Sequence, residues 1–202
     1  MPTIDSLETL LTNELRDLLD VENRLTKVLP KLAKASANEE LRAAFEEHLD
    51  ETQEHVTRVE KALKMMGAPV KAKPCHGIRG IIDEGSEMMQ ENYEEDALKD
   101  AAIIGSAQRA EHYEIAAYGT ILAYAKQLGQ DQLINLLKPS LEEEKAADEK
   151  LTQIAESVVN TDAANGDEEN EEMLAGAGAG RGSRGSSGSS STRKGNGRAR
   201  GR

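Results

Sequence analysis

Tryptophan is absent from this chain, and the other aromatics are scarce: one Phe and four Tyr in 202 residues. Cores of sheet proteins lean on aromatic and β-branched side chains, so this poverty argues against a sandwich or a barrel. A single cysteine, Cys75, excludes an intrachain disulfide framework and fits a reducing compartment. No run approaches the roughly 18 apolar residues of a membrane span, and residues 1–11 lack a cationic, apolar leader. A soluble, cytoplasmic protein without membrane contact is the expectation. Positive charge is short as well, with 25 Lys and Arg against 37 Asp and Glu and a net charge of −12. That balance argues against a general nucleic-acid binder, because phosphate contacts need clustered cations. It leaves metal cations as a partner that an acidic body attracts.

What is present is a chain rich in Ala, Leu, Glu and Lys, the composition of helices packed on helices. Four long periodic segments stand out, at about 4–35, 38–66, 96–128 and 131–159. The first opens on Asp5 or Ser6 as a cap and carries Pro30 late, where a kink is expected. Gly67, Pro69 and Pro74 break the second, Gly129 closes the third as a C-cap, and Pro139 predicts a bend in the fourth. A shorter helix is predicted over 78–92. Short connections at 36–38 and 129–130 make two antiparallel hairpins, and the link of about thirty residues between them is long enough to run the length of a bundle. The expected fold is all-α: a four-helix bundle of two antiparallel hairpins, with a long crossover carrying a short helix.

Composition changes abruptly beyond residue 160. "TDAANGDEENEEM" is acidic, and the end of the chain is Gly/Ser-rich with seven cations between Arg181 and Arg202. Neither stretch can bury a core. The expected division is therefore a helical domain over 1–160 and a disordered tail over 161–202. The basic end of that tail is a candidate for weak nucleic-acid contact, although it lacks aromatics for base stacking.

The core-facing lines of the helices carry residues that a core should not hold. In the second segment the line reads Leu41, Phe45, His48, Thr52, His55, Val59, Ala62, with Glu51 beside it. In the third, Ile104, Gln108, Glu111, Ile115, Tyr118 and Leu122 are flanked by Glu114. The fourth reads Leu133, Leu137, Leu141, Glu144, Asp148, Leu151, Ala155, and the first places Glu22 among leucines. A buried carboxylate costs many kcal/mol unless it is neutralised, paired or bound to a cation. One reading is a layer of polar residues satisfied by hydrogen bonds. The other is a cation site. At a rise of about 1.5 Å per residue, these groups all lie roughly 20–27 Å from their hairpin ends, which stacks them in one layer. Several carboxylates with imidazole and little positive charge suit metal, and bundles build two-metal centres from facing helices in this way.

The stretches "LRDLLDVENRLTKVLPKLAKAS", "EEHLDETQEHVTRVEKAL", "GIRGIIDEG", "AQRAEHYEIAAYGTILAYAKQLG" and "LEEEKAADEKLTQIAE" resemble, in this order over about residues 4–159, the YciE/YciF branch of the ferritin-like di-iron carboxylate superfamily. The resemblance implies a ferritin-like bundle, a homodimer, association with stress responses and two iron or manganese ions per chain. Carried over by position, Glu22, Glu51, His55, Glu111, Glu114 and Glu144 take ligand roles, with Asp148 as a further candidate. His48, His112 and Tyr118 are expected to orient those ligands. The chain departs from the superfamily's Glu-x-x-His pattern: it offers Glu51-x-x-x-His55, and Glu144-x-x-x-Asp148 with no histidine. The reaction implied is oxidation of Fe(II) by oxygen or peroxide; the alternative is a non-enzymatic structural stress protein. Glu84, Glu87 and the pair Cys75-His76 are expected to form no site, and Met88 and Met89 serve either a dimer contact or the local core.

Overall fold

The structure, a computed structural model, describes residues 4–166. Five α-helices follow in order: α1 (Leu7–Ala35), α2 (Glu39–Met65), α3 (His76–Met88), α4 (Asp96–Gln127) and α5 (Asp131–Ile154). Among the described residues there is no strand. The helix starts follow local rules. Ser6 is the N-cap of α1, its hydroxyl accepting from the Thr9 N–H at 3.2 Å, and Asn38 does the same for α2, accepting from the Leu41 N–H at 3.0 Å. The stops of α2 and α4 are paired glycine motifs. Gly67 and Gly129 take φ of +65° and +67°. In each motif the glycine N–H returns to Lys64 or Lys126, and the next N–H returns to Leu63 or Ala125. Both internal prolines are accommodated: α1 continues through Pro30 and α5 through Pro139.

The two hairpins α1–α2 and α4–α5 lie side by side, with α1 against α4 and α2 against α5. A crossover joins them, and its first part is stitched to α1. The Lys73 N–H donates to the Arg16 carbonyl at 2.9 Å, Arg16 Nε donates to the Lys71 carbonyl at 2.9 Å, and the Cys75 N–H donates to Asp20 Oδ2 at 2.9 Å. Helix α3 then packs on α4. At the far end Asp100, buried near the start of α4, clasps the α1–α2 turn by accepting from the N–H groups of Ala37 (3.0 Å) and Asn38 (2.7 Å).

Core lines on α1 and α2 match the periodic reading: Leu15, Leu18, Glu22, Leu25 and Leu29 are buried, as are all seven residues from Leu41 to Ala62 on the predicted line. Each fully buried Leu contributes about 1.5–3 kcal/mol. On α4 the buried face is wider than the predicted line, of which Ile104, Glu111 and Tyr118 are buried. Ile103, Ala107, Ala110, Glu114 and Ile121 are buried, whereas Ile115 and Leu122 lie at its edge. The cause is that α4 touches three helices, α1, α3 and α5, so its buried sector is wide. Ser140 replaces Leu141 as the fully buried position on α5. Met88 and Met89 pack partly buried against the core, and Glu84 and Glu87 lie exposed.

Helix continues beyond residue 160. Beyond Ile154 one π-helical segment, Ala155–Val159, inserts between α5 and a further helical run through residue 166, and the compact unit closes at Gly166. Buried Val159 anchors the run, and Ala163 and Ala164 sustain it by propensity. The sequence after 166, with the Gly/Ser/Arg-rich end and the nucleic-acid contact expected of it, lies outside the described residues. Among the described residues no helix is long and apolar enough to cross a membrane.

Candidate metal centre

All four long helices deliver carboxylate or imidazole to the middle of the bundle. Glu22 comes from α1, His48 and His55 from α2, Glu111 and Glu114 from α4, and Glu144 from α5; all six are buried. His48 and His55 are seven residues apart, two helical turns, so both rings face the interior from one side of α2. Thr52, between them on the same line, is accounted for locally: its hydroxyl donates to the His48 carbonyl at 2.7 Å.

Two donor sets form. One ligand atom from each of His48, Glu111, Glu114 and Glu144 lies within 4.8 Å of the others, and the same holds for Glu22, His55 and Glu144. Glu144 belongs to both. In the first set His48 Nε2 stands 3.4 Å from Glu111 Oε2 and 3.4 Å from Glu144 Oε2. In the second, His55 Nδ1 is 2.9 Å from Glu144 Oε1 and 3.6 Å from Glu22 Oε2. These are approaches without hydrogen-bond alignment. Seven buried side-chain atoms among the described residues have no hydrogen-bond partner, and every one is here: Glu22 Oε2, His55 Nδ1, Glu111 Oε2, both oxygens of Glu114 and both of Glu144. Each unsatisfied buried polar atom costs about 1–3 kcal/mol, and such costs persist where a ligand recovers them.

The outer atoms of the two imidazoles are held. His48 Nδ1 lies 3.1 Å from Glu51 Oε2, and His55 Nε2 lies 2.8 Å from Glu143 Oε2. Glu143 is in turn gripped by Arg58, whose Nη1 also donates to Ser140 Oγ at 2.9 Å. Carboxylates placed behind a histidine fix its ring orientation and tautomer. Tyr118, wholly buried, donates its hydroxyl to Glu22 Oε1 at 2.5 Å.

Electrostatics follow from this crowding. Burial pushes the His48 imidazole down, but Glu111, Glu51 and Glu144 outweigh it and hold the ring well above the ordinary value of 6.5. Burial acts the same way on His55, where Glu144 and Glu22 win and raise it to about 10. Burial, with Glu144, Glu22 and Glu111 close by, lifts Glu114 well above its ordinary value. Burial is also the largest influence on Glu144, which rises to about 8 despite His55. Glu111 goes the other way, because the His48 charge overcomes its burial. Burial and the Glu22 charge raise Tyr118 well above 10.

Relative to the sequence expectation, the structure brings Glu22, His55, Glu111, Glu114 and Glu144 together and adds His48 directly to the donors. Glu51 stands outside the layer, behind His48, with its side chain 37% exposed. Asp148 lies at the edge of the α4–α5 seam, where it accepts from Gln108 Nε2 at 3.1 Å and sits 3.3 Å from Nε2 of the exposed His112. Those two belong to each other rather than to the interior. Glu143, Arg58 and Ser140 were absent from the expectation. Only the i+7 spacing of the histidines pointed to His48 as an equal of His55, and no spacing on one helix identifies a carboxylate on another as its neighbour. Cys75 is buried, its Sγ 2.9 Å from Tyr113 Oη, and His76 is exposed, so that pair forms no site with the layer.

Residues 6–164 match the model of a family described as "Domain of unknown function (DUF892)". Protein YciF of Escherichia coli (strain K12) is 41% identical over 161 residues, 79% of this chain and 96% of that protein. Its crystal structure, that of a stress protein, superposes with a TM-score of 0.74 at 40% identity, covering 78% of this chain and 99% of the other. YcfI of Rhodopseudomonas palustris gives 0.73 at 39% identity, over 75% of this chain and 96% of its own. A structure of ferritin-like, diiron-carboxylate proteins from Bacillus anthracis gives 0.58 at 16% identity, over 75% of this chain and 99% of that one. The likeness at low identity shows the fold, which is ferritin-like.

Proposed function

The chain belongs to the DUF892 family, and from that premise we propose that its bundle core holds a dinuclear iron or manganese centre at which Fe(II) is oxidised by oxygen or peroxide. The observation that carries the reading is that all seven unpartnered buried side-chain atoms among the described residues lie in one layer, with Glu144 common to both donor sets. Hard carboxylate oxygens with one imidazole per set suit iron or manganese. His48, Glu111 and Glu114 would hold one ion, Glu22 and His55 the other, and Glu144 both. Two such ions would supply the one-electron redox chemistry that Fe(II) oxidation by oxygen or peroxide needs.

The chain's own residues do the rest. Glu143, clamped by Arg58, and Glu51 orient the two imidazoles so that Nδ1 of His55 and Nε2 of His48 face inward. The Tyr118 hydroxyl fixes one oxygen of Glu22 and leaves the other turned to the layer. Buried leucines on the same helices, such as Leu18, Leu25 and Leu137, keep the charges in a low-dielectric interior. Since metal ligation requires neutral histidine and ionised carboxylate, the raised proton affinities of His55 and Glu144 mean that binding releases protons.

Elemental mass spectrometry on protein purified without chelator tests the centre. About two iron or manganese ions per chain, lost in Glu22→Ala/Glu144→Ala, is the expected result; no metal after anaerobic loading with Fe(II) or Mn(II) removes it. Turnover is tested apart from binding, by Fe(II) addition with peroxide and growth of ferric absorption. A loaded chain that never turns over leaves a metal that only staples the bundle, as in a structural stress protein. The homodimer belongs to the same proposal and is read by sedimentation.

A further inference from the structure

The two donor sets differ in their access to solvent. A cleft of about 160 Å³ opens between α2 and α5 and ends on His48 and Glu111. Its walls are kept apart by small residues, Ala44 on α2 and Ala147 on α5, and an ion pair crosses its mouth, Lys150 Nζ to Glu47 Oε2 at 2.5 Å. Both ends of that pair are substantially exposed, so the pair is weak and opens readily. None of Glu22, His55 or Tyr118 lines this cleft. Those three are 0% exposed, and behind His55 the way out is closed by Glu143, Arg58 and Ser140.

We propose that this cleft is the entrance of the centre for metal ions and small oxidants, with Ala147 setting its bore and Lys150 its charge. The ion held by His48, Glu111 and Glu114 then exchanges with solvent, while the ion held by Glu22 and His55 is enclosed. Water-sized ligands fit the opening; anything as large as a sugar or a peptide does not. The inference rests on the dinuclear reading above and adds to it an order of exchange and the residues that set it.

The test uses Co(II), whose visible absorption reports ligation without turnover. Release from the loaded full-length chain into excess chelator should be biphasic, one ion leaving about tenfold faster than the other, because the enclosed ion must wait for local opening of the helices. Ala147→Phe should slow the fast phase about tenfold by forcing it through the same opening, with Co(II) capacity at equilibrium unchanged. Lys150→Glu should speed uptake about threefold at low salt, with the gain erased at high salt. A fast phase that survives Ala147→Phe at full capacity overturns the entrance. Should Ala147→Phe not fold, an unaltered uptake rate in Lys150→Glu overturns it instead. Wild-type chain that takes up no Co(II) removes the dinuclear reading and this one with it, whereas uptake that ignores the cleft variants removes only this one.

Discussion

His48 and His55 occupy equivalent positions on α2, two turns apart, and meet different surroundings. His48 is 5% exposed at the foot of a cleft, and the carboxylate behind it, Glu51, reaches solvent with no guanidinium gripping it among the described residues. His55 is 0% exposed, and the carboxylate behind it is fixed by a guanidinium. The same chemistry is thus built once loosely and once rigidly. A two-fold pattern of donor residues along one helix need not have symmetric surroundings. The helices that close over one half, α1 and the Ser140 stretch of α5, leave the other half open where α5 presents alanines.

The largest loss is expected at Glu144, which both donor sets share. Glu144→Ala should take metal content from about two ions per chain to none, whereas His48→Ala should leave about one. Elemental analysis decides, and a Glu144→Ala chain that keeps one ion would show the halves to be independent. Next in size is the response of the metal-free chain to pH. His55 is raised from 6.5 to about 10, so the stability it contributes is complete below 6.5 and lost as pH rises through about 10. Glu144 is raised from 4.5 to about 8, so it too binds its proton more tightly when folded and costs stability as pH rises from 4.5 to 8. Both effects have one sign. Thermal unfolding in chelator should therefore shift down by roughly 5 °C or more between pH 6 and pH 9, and the loss should vanish when metal is restored. A flat profile in chelator would contradict the raised proton affinities of His55 and Glu144.

Removing one imidazole at a time sharpens the contrast. Without metal, His55→Ala leaves buried carboxylates uncompensated and should cost about 3 kcal/mol in denaturant unfolding. His48→Ala should cost about 1 kcal/mol, because water from the cleft can replace the ring. Equal losses would deny the difference in enclosure. Smaller again is the effect of Glu143→Ala, expected to weaken the slowly exchanging ion about tenfold and leave the other alone. Glu143→Gln, which keeps an oxygen for His55 Nε2, should recover most of that loss. The smallest effect is assigned to Asp148→Asn, which should leave metal content unchanged, since Asp148 faces Gln108 and His112 at the edge of the seam.

Much of the bundle can be read in the chain because helix periodicity is a local property. The line Leu41–Phe45–His48–Thr52–His55–Val59–Ala62 is buried as its steps of three and four require. Gly67 and Gly129 stop their helices where a positive φ is needed. The depth of Glu22, Glu111 and Glu144 along their helices follows from residue counts and a constant rise. Periodicity is less informative where a helix has several neighbours: on α4 it named Ile104, Glu111 and Tyr118, which are buried, but also Ile115 and Leu122, which are not, and contact with several helices widened the buried sector to include Glu114. It is silent about partners in other segments. Nothing near residue 100 announces that Asp100 will bind the turn at 37–38, and nothing near residue 143 announces a histidine 88 positions earlier.

The sequence alone therefore determined the helices, their pairing into hairpins and the presence of a carboxylate layer at mid-height, because these depend on backbone hydrogen bonds within a helix and on connection lengths. Tertiary structure decided which members of that layer converge, that Glu144 is common to both donor sets, that Glu51 and Asp148 stand outside them and that one half opens to solvent. Those outcomes depend on the rotation of each helix against its neighbours. A turn of one residue, about 100° on a helix of 3.6 residues per turn, carries a side chain from the centre of a bundle to its edge.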